Sequence, residues 1–260
     1  MGYQYVLYEE VDHVAWVTVN REKALNAINA DVLKELQEVF GAISQNQEIR
    51  VAVITGAGDK AFIAGADIAA MAQMTPDQAA AFCLLGHKTM SQIQDCRVPV
   101  IASVNGFCLG GGLELALSCD FIYASNKAKL GLPEVNLSLF PGFGGTQRLT
   151  QLVGPGRAKE IIFSARLLSA EEAREWGIVN KITAPEALKT EVAKTAQEIA
   201  SKGPVAVSLA KRVINKGLAQ TLDNGLKIER DHFTDCFRAE DLKEGLTAFL
   251  EKRRPRFQGR

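Results

Sequence analysis

The stretch GFCLGGGLELALSCD, residues 106–120, sets three glycines, Gly110, Gly111 and Gly112, before an apolar run that carries one carboxylate, Glu114. Glycine costs roughly 1 kcal/mol against alanine inside a helix, so three in a row need another reason. A strand-like segment, VPVIASVN, leads into them, and the pattern is a strand ending in a turn that opens a helix. The first N–H groups of a helix have no internal partner and carry partial positive charge. Bare backbone lets another molecule come close to them. This is a place to hold an oxyanion. A second glycine-flanked loop, AFIAGADI, follows the run VAVIT, and the amide of Ala66 is its candidate donor. Two amides converging on one carbonyl oxygen would stabilise an enolate.

Twenty residues beyond Glu114, GLPEVNLSLFPGFGG brings Glu134, again in an apolar setting and ahead of a proline-glycine turn. Two carboxylates in apolar surroundings can hold a water and exchange protons with it, and burial raises their pKa toward the working pH. Taken alone, each is equally readable as a capped or salt-bridged glutamate. Other chemistries fare worse. Gly56-x-Gly58-x-x-Ala61 fits the dinucleotide fingerprint, but FIAGA follows it instead of a helix start. Asp77, near the right distance, opens a helix where the fingerprint needs the end of a strand, so no nicotinamide site is expected. GxxxxGK[ST] and GxSxG are absent, and His13, His87 and His232 form no metal-ligand spacing.

The elements that must position these groups read as α/β. YQYVLYEE and HVAWVTVN alternate like strands. Ile28, Val32, Leu33, Leu36, Val39, Phe40 and Ile43 recur at helical spacing, with Asp31 as the expected cap. RVAVITG, RVPVIASVNG and DFIYAS are continuous apolar runs suited to strands buried on both faces. Between the first two, TPDQAAAFCLLGHKTMSQIQD predicts a helix capped by Thr75 with Pro76 in its first position. Beyond residue 145 the pattern is almost entirely helical, and no repeat of fixed period is visible.

Composition sets the class. The 260 residues are 47% hydrophobic and 23% charged, with 30 basic and 30 acidic side chains. A net charge of +0 removes the global case for a nucleic-acid partner. Five cysteines, an odd number without a CxxC pair, argue against a disulfide framework or zinc site and for the reducing cytoplasm. The opening residues lack a signal-peptide pattern, and Met1-Gly2 has Val6 where a myristoylation motif needs Ser or Thr. No apolar run approaches a membrane span, so no membrane partner is expected. The tail EKRRPRFQGR is basic and reads either as a solvated end or as an anion contact.

NREKALNAIN, AFIAGADI, VNGFCLGGGLELALSCD and LGLPEVNLSLFPGFGGTQRL together resemble the crotonase, or enoyl-CoA hydratase/isomerase, superfamily. The resemblance covers essentially the whole chain. It implies a spiral of ββα units in residues 1–195 with the acyl-CoA site, a helical trimerisation region in residues 196–260, and a hexamer built from two trimers. It implies acyl-CoA thioester substrates and no cofactor beyond the CoA that the substrate carries. Glu114 and Glu134 would be the acid/base pair, with Glu114 as the base for water and Glu134 delivering a proton to C2. The amides of Ala66 and Gly111 would form the oxyanion hole. Lys23, Ala24, Leu25, Ala64, Ala66, Asp67, Ile68, Ala69, Gly110, Gly111, Pro133 and Gly142 would line the substrate path.

Many relatives carry a lysine after ADI, where this chain has Ala69, so the CoA phosphates are left to Lys23 or to the basic tail of a neighbouring subunit. Both glutamates match the hydratases, which gives the expectation: hydration of a 2-trans-enoyl-CoA in fatty-acid or related acyl-CoA metabolism. A double-bond isomerase is the nearest alternative. An RNA-binding relative is disfavoured because DVLKELQEVFGAISQN holds one lysine against two glutamates. Met71, Met74, Phe82, Phe140 and Phe143 either close the acyl pocket, favouring short chains such as crotonyl, or are ordinary core.

Overall fold

The structure is a computed structural model that describes residues 2–260, so Met1 of the Met1-Gly2 reading lies outside the described residues. The chain opens with the hairpin β1 (Val6–Val11) and β2 (Val14–Val19), then α1 (Ala30–Gln45). Next come β3 (Val51–Gly56), β4 (Ala61–Ile63), α2 (Ile68–Met71) and α3 (Pro76–Gln94). A second passage runs through β5 (Val100–Val104), β6 (Phe107–Leu109) and α4 (Gly111–Ala116). A third has β7 (Phe121–Ser125), β8 (Lys129–Gly131), a 3-10 turn at Glu134–Leu137, and α5 (Gly145–Ser164). Then follow β9 (Leu168–Ser169), α6 (Ala170–Glu175), β10 (Lys181–Thr183), α7 (Pro185–Ala200), α8 (Pro204–Gly217), α9 (Leu222–Cys236) and α10 (Glu240–Leu250).

Each passage places one strand in a large sheet and the next in a small one, then a helix. The large sheet has the order β1-β2-β3-β5-β7-β10 and the small one β4-β6-β8-β9. β2, β3, β5, β7 and β10 run parallel, as do β4, β6 and β8. This is the expected spiral of ββα units, repeated in space without a fixed period in sequence. The small sheet went unread because its strands have only two or three residues, too few to show a period.

β3 and β5 are buried along nearly their whole length because helices cover both faces of the large sheet. α1 packs Val32, Leu33, Leu36, Val39, Phe40 and Ile43 into the main core. On the opposite face Leu188, Val192, Ala196 and Ala200 of α7 meet Val14, Val51, Val53 and Ile101. Residue 195 thus falls inside a helix that lies on the sheet. Asn29, rather than Asp31, caps α1: its extended backbone turns the side chain onto the Val32 N–H, and Asp31 sits in the first turn. Thr75 caps α3 as expected, in a reciprocal box with Gln78. The Gly56–Ala61 fingerprint leads into β4, not a helix.

The last helices differ from the rest. α8 docks through Lys211, whose buried Nζ donates to Val98 O at 3.0 Å and meets Asp120 Oδ2 at 2.7 Å. The outer faces stay apolar, with Ile214, Leu222, Phe233 and Phe249 exposed. The basic tail is partly spent on α10, where Arg253 holds both oxygens of Glu244 and Arg260 pairs with Glu240. Among the described residues no helix is long and apolar enough to cross a membrane.

One of the closest backbone approaches in the spiral is where α4 starts. A Cβ on Gly112 would lie 2.1 Å from the Ile63 carbonyl oxygen, so β4 and α4 touch only because that position has no side chain. Gly112→Ala should lower stability by about 1–3 kcal/mol in urea unfolding. Gly156→Ala, where nothing lies within 4 Å, is the matched control and should be neutral or slightly stabilising.

Candidate active site

β6 ends at Leu109, and the chain reverses at Gly110 with φ +51° and ψ −124°, a conformation closed to residues with a side chain. α4 then begins at Gly111, whose N–H has no partner inside the helix. The parallel strand β4 carries its own loop to the same place. A Cβ on Gly110 would lie 3.7 Å from Gly65 Cα, so the two glycine loops run side by side.

The Ala66 amide is freed by pairing geometry. Ile28 N–H donates to Gly65 O at 2.9 Å, and Asp67 N–H donates to Ile28 O at 2.8 Å. Ile28 therefore bridges the residues on either side of Ala66, and the N–H of Ala66 turns the other way. The sequence-predicted pair of amide donors is thus brought together with both donors unused among the described residues.

Glu114 is only 2% exposed. Its Oε1 accepts the N–H groups of Phe143 and Gly145, each at 2.7 Å, and among the described residues Oε2 has no hydrogen-bond partner. Burial raises its pKa on balance, and those two N–H groups and the charge of Arg148 offset only part of the rise. Glu134 opens the 3-10 turn and lies against Gly110, where a Cβ would sit 3.1 Å from its Oε1. Its Oε2 is buried with no hydrogen-bond partner among the described residues. Burial raises its pKa to about 7, and the negative charge of Glu114 adds to the rise. The alternative of a capped or salt-bridged surface glutamate fits neither residue. Among the described residues Glu114 takes its hydrogen bonds from backbone amides, and Glu134 has one oxygen without a partner. Among the described residues no cluster of His, Cys, Asp or Glu could hold a metal ion.

The segments expected to line the substrate path flank this centre. Lys23, Ala24 and Leu25 are exposed on a short 3-10 turn, and Ala64 N–H ties their loop to β4 through Leu25 O at 3.1 Å. Ile68 and Ala69 are exposed at the start of α2, and Pro133 precedes Glu134. Gly142 has open space on its Cβ side. The Asp67 side chain has another task. It caps α2 and pairs with Arg21 at 3.0 Å, locking the Lys23 loop to the Ala66 loop. Of the acyl-pocket candidates, Phe82 and Phe143 are buried edge-to-face at 5.1 Å behind Gly111, Met71 and Met74 are half-buried against the core, and Phe140 is 72% exposed.

Residue-by-residue reading missed Asn26, which is fully buried at φ +59° and donates to Ala57 O and Ala61 O while accepting from Arg21 N. Its signal was available, because asparagine is enriched among residues with positive φ. Arg148 was also missed. It donates to Phe143 O at 3.1 Å and is braced by Gln94 at 2.9 Å, and nothing in its helical spacing points to that role.

Two carboxylates of unequal environment lie beside two adjoining glycine loops, between the layers of an α/β spiral of ββα units. Residues 9–260 match the enoyl-CoA hydratase/isomerase family, and the chain belongs to that family. It is 47% identical over 257 residues to the crotonyl-CoA hydratase of Syntrophomonas wolfei, covering 99% of each chain. It is 47% identical to the short-chain-enoyl-CoA hydratase of Clostridium acetobutylicum, covering 96% of this chain and 95% of that one. The crystal structure of an enoyl-CoA hydratase from Bacillus anthracis superposes with a TM-score of 0.96 at 41% identity, covering 99% of this chain and all of that one.

The raised pKa of Glu134 sets a pH dependence of stability. Between its ordinary value of 4.5 and about 7 the folded protein binds more protons at this site than the unfolded chain. Its contribution is therefore intact below 4.5 and falls as pH rises through about 7. Glu134→Gln should gain stability relative to the parent at pH 8 and not at pH 4, read from urea midpoints at both.

Proposed function

We propose that this enzyme hydrates a short-chain 2-trans-enoyl-CoA, such as crotonyl-CoA, reversibly to the 3-hydroxyacyl-CoA. The observation that carries the reading is the pair of unequal carboxylates beside two unused amides. The names of the two curated relatives support the same reaction and chain length.

The thioester carbonyl accepts the N–H groups of Ala66 and Gly111. Negative charge grows on that oxygen as water adds to C3, and fixed donors are worth about 3 kcal/mol each in such a site. Glu114, held at Oε1 by two amides, takes a water proton at Oε2 and directs the oxygen to C3. Glu134, with a pKa of about 7, is substantially protonated at neutral pH and can deliver a proton to C2. CoA arrives as part of the substrate, along the Lys23–Leu25 and Asp67–Ala69 segments, and no further cofactor takes part. Ala69 leaves Lys23 as the nearby cation for a CoA phosphate.

The reading also takes the enzyme to be a cytoplasmic homo-oligomer, a hexamer of two trimers formed through the helical region after α7. The support is the apolar outer face of α8–α10, where Phe249 is 82% exposed.

Loss of the enoyl-thioester absorbance should be rapid with crotonyl-CoA and much slower with a C10 enoyl-CoA. Double-bond migration in a 3-enoyl-CoA without hydration would make the protein an isomerase instead. Glu134→Gln should lose several orders of magnitude in turnover while still binding CoA ester, and full activity in that variant would sink the two-carboxylate mechanism. Gly111→Pro, which removes one amide donor, should lower kcat by about 100-fold or more.

A further inference from the structure

We infer that Cys83 is a positioning residue for Glu114, fixing the peptide plane that holds this carboxylate. The inference rests on the reading of Glu114 as the base. Cys83 lies on α3, and its Sγ donates to Gly142 O at 2.9 Å. That carbonyl belongs to the same peptide unit as the Phe143 N–H, which donates to Glu114 Oε1 at 2.7 Å. A trans peptide is planar, with C=O and N–H pointing in opposite directions. A donor on the carbonyl therefore fixes the direction of the N–H and polarises it into a better donor. One peptide on, Arg148 holds Phe143 O and is braced by Gln94, also on α3. Two successive carbonyls of the loop that binds Glu114 are thus held by groups anchored on one helix.

The thiol has one proton and two neighbours. His87 Nε2 is 3.7 Å away, so the shorter contact assigns the proton to Gly142 O and leaves Sγ as an acceptor for the ring. Burial and the charge of Glu114 push the thiol pKa up, which keeps the donor in place. The other charged groups that act on Glu114 are Glu134 and Arg148, and Asp95 acts on Arg148 in turn.

Cys83→Ala removes the donor, and Cys83→Ser keeps one. Both are assayed with crotonyl-CoA across pH beside Glu114→Gln. In Cys83→Ala a weaker Phe143 N–H donor raises the Glu114 pKa. Its kcat should fall about ten-fold with KM little changed, and the acid limb of the kcat profile should move to higher pH. Cys83→Ser should restore most of both. The infrared carboxylate titration of Glu114, identified by its absence in Glu114→Gln, should move the same way in substrate-free protein. That readout tests the contact even if crotonyl-CoA is not turned over, a result that would count against the proposed reaction alone. The inference is overturned if Cys83→Ala keeps the parent's carboxylate titration, or if only KM or chain-length preference changes, which would make Cys83 a pocket wall.

Discussion

Glu114 is a carboxylate in the core of the protein, and the two backbone N–H groups on its Oε1 make that position tenable. An unpaired buried charge would cost several kcal/mol or neutralise itself by taking up a proton. Here the donors come from the loop before α5, so the bond that keeps the charge also ties α4 to the third passage of the spiral. The loop's shape follows from it. Gly145 must be bare, since a Cβ there would lie 2.9 Å from Glu114 Cγ, and Gly144 turns at φ +105° to present the next amide.

The second carboxylate is arranged the opposite way. Glu134 Oε2 is buried without a partner, and its neighbour of like charge is Glu114. An unmet acceptor is a cost that most buried polar groups avoid. The same cost separates the two pKa values' causes: one carboxylate is held by amides and a nearby arginine, the other by nothing but its own backbone. Unequal environments let one group serve as base while the other holds a proton at the same pH. A site with both glutamates well solvated would have neither asymmetry nor a reason for the glycines that crowd them.

Much of this was legible in sequence. The triple glycine before LELAL marked the turn at Gly110 and the start of α4, because helix starts and bare backbone have fixed physical consequences. GLPE and AFIAGADI marked the segments that lie beside that turn, and the long apolar runs marked β3, β5 and β7. What stayed hidden depends on contacts between distant residues. Three-residue strands such as β4 and β8 have no period, yet they set the loops side by side. Asn29 and Asp31 are both good caps by type, and only backbone geometry chose between them. Asp67 read as a substrate contact, while its carboxylate is engaged by Arg21, 46 residues away. The Cys83 contact with Gly142, 59 residues away, has no local signal in the sequence.

The division between main chain and side chain explains how such a scaffold can change its reaction. The Ala66 and Gly111 donors belong to the backbone, so ordinary side-chain replacement cannot delete them and tends only to displace them. Their direction is set by the Ile28 bridge and by the reversal at Gly110, both part of the fold itself. On the proposed mechanism, stabilising a thioester oxyanion is therefore inseparable from folding correctly. The acid/base groups are side chains, and each can be lost or replaced without dismantling the spiral. It follows that, in the proposed reaction, the backbone would fix the intermediate and the side chains its fate. On the same mechanism, protonation at C2 after water has added, rather than migration of the double bond, falls to Glu114, Glu134 and the few residues that touch them.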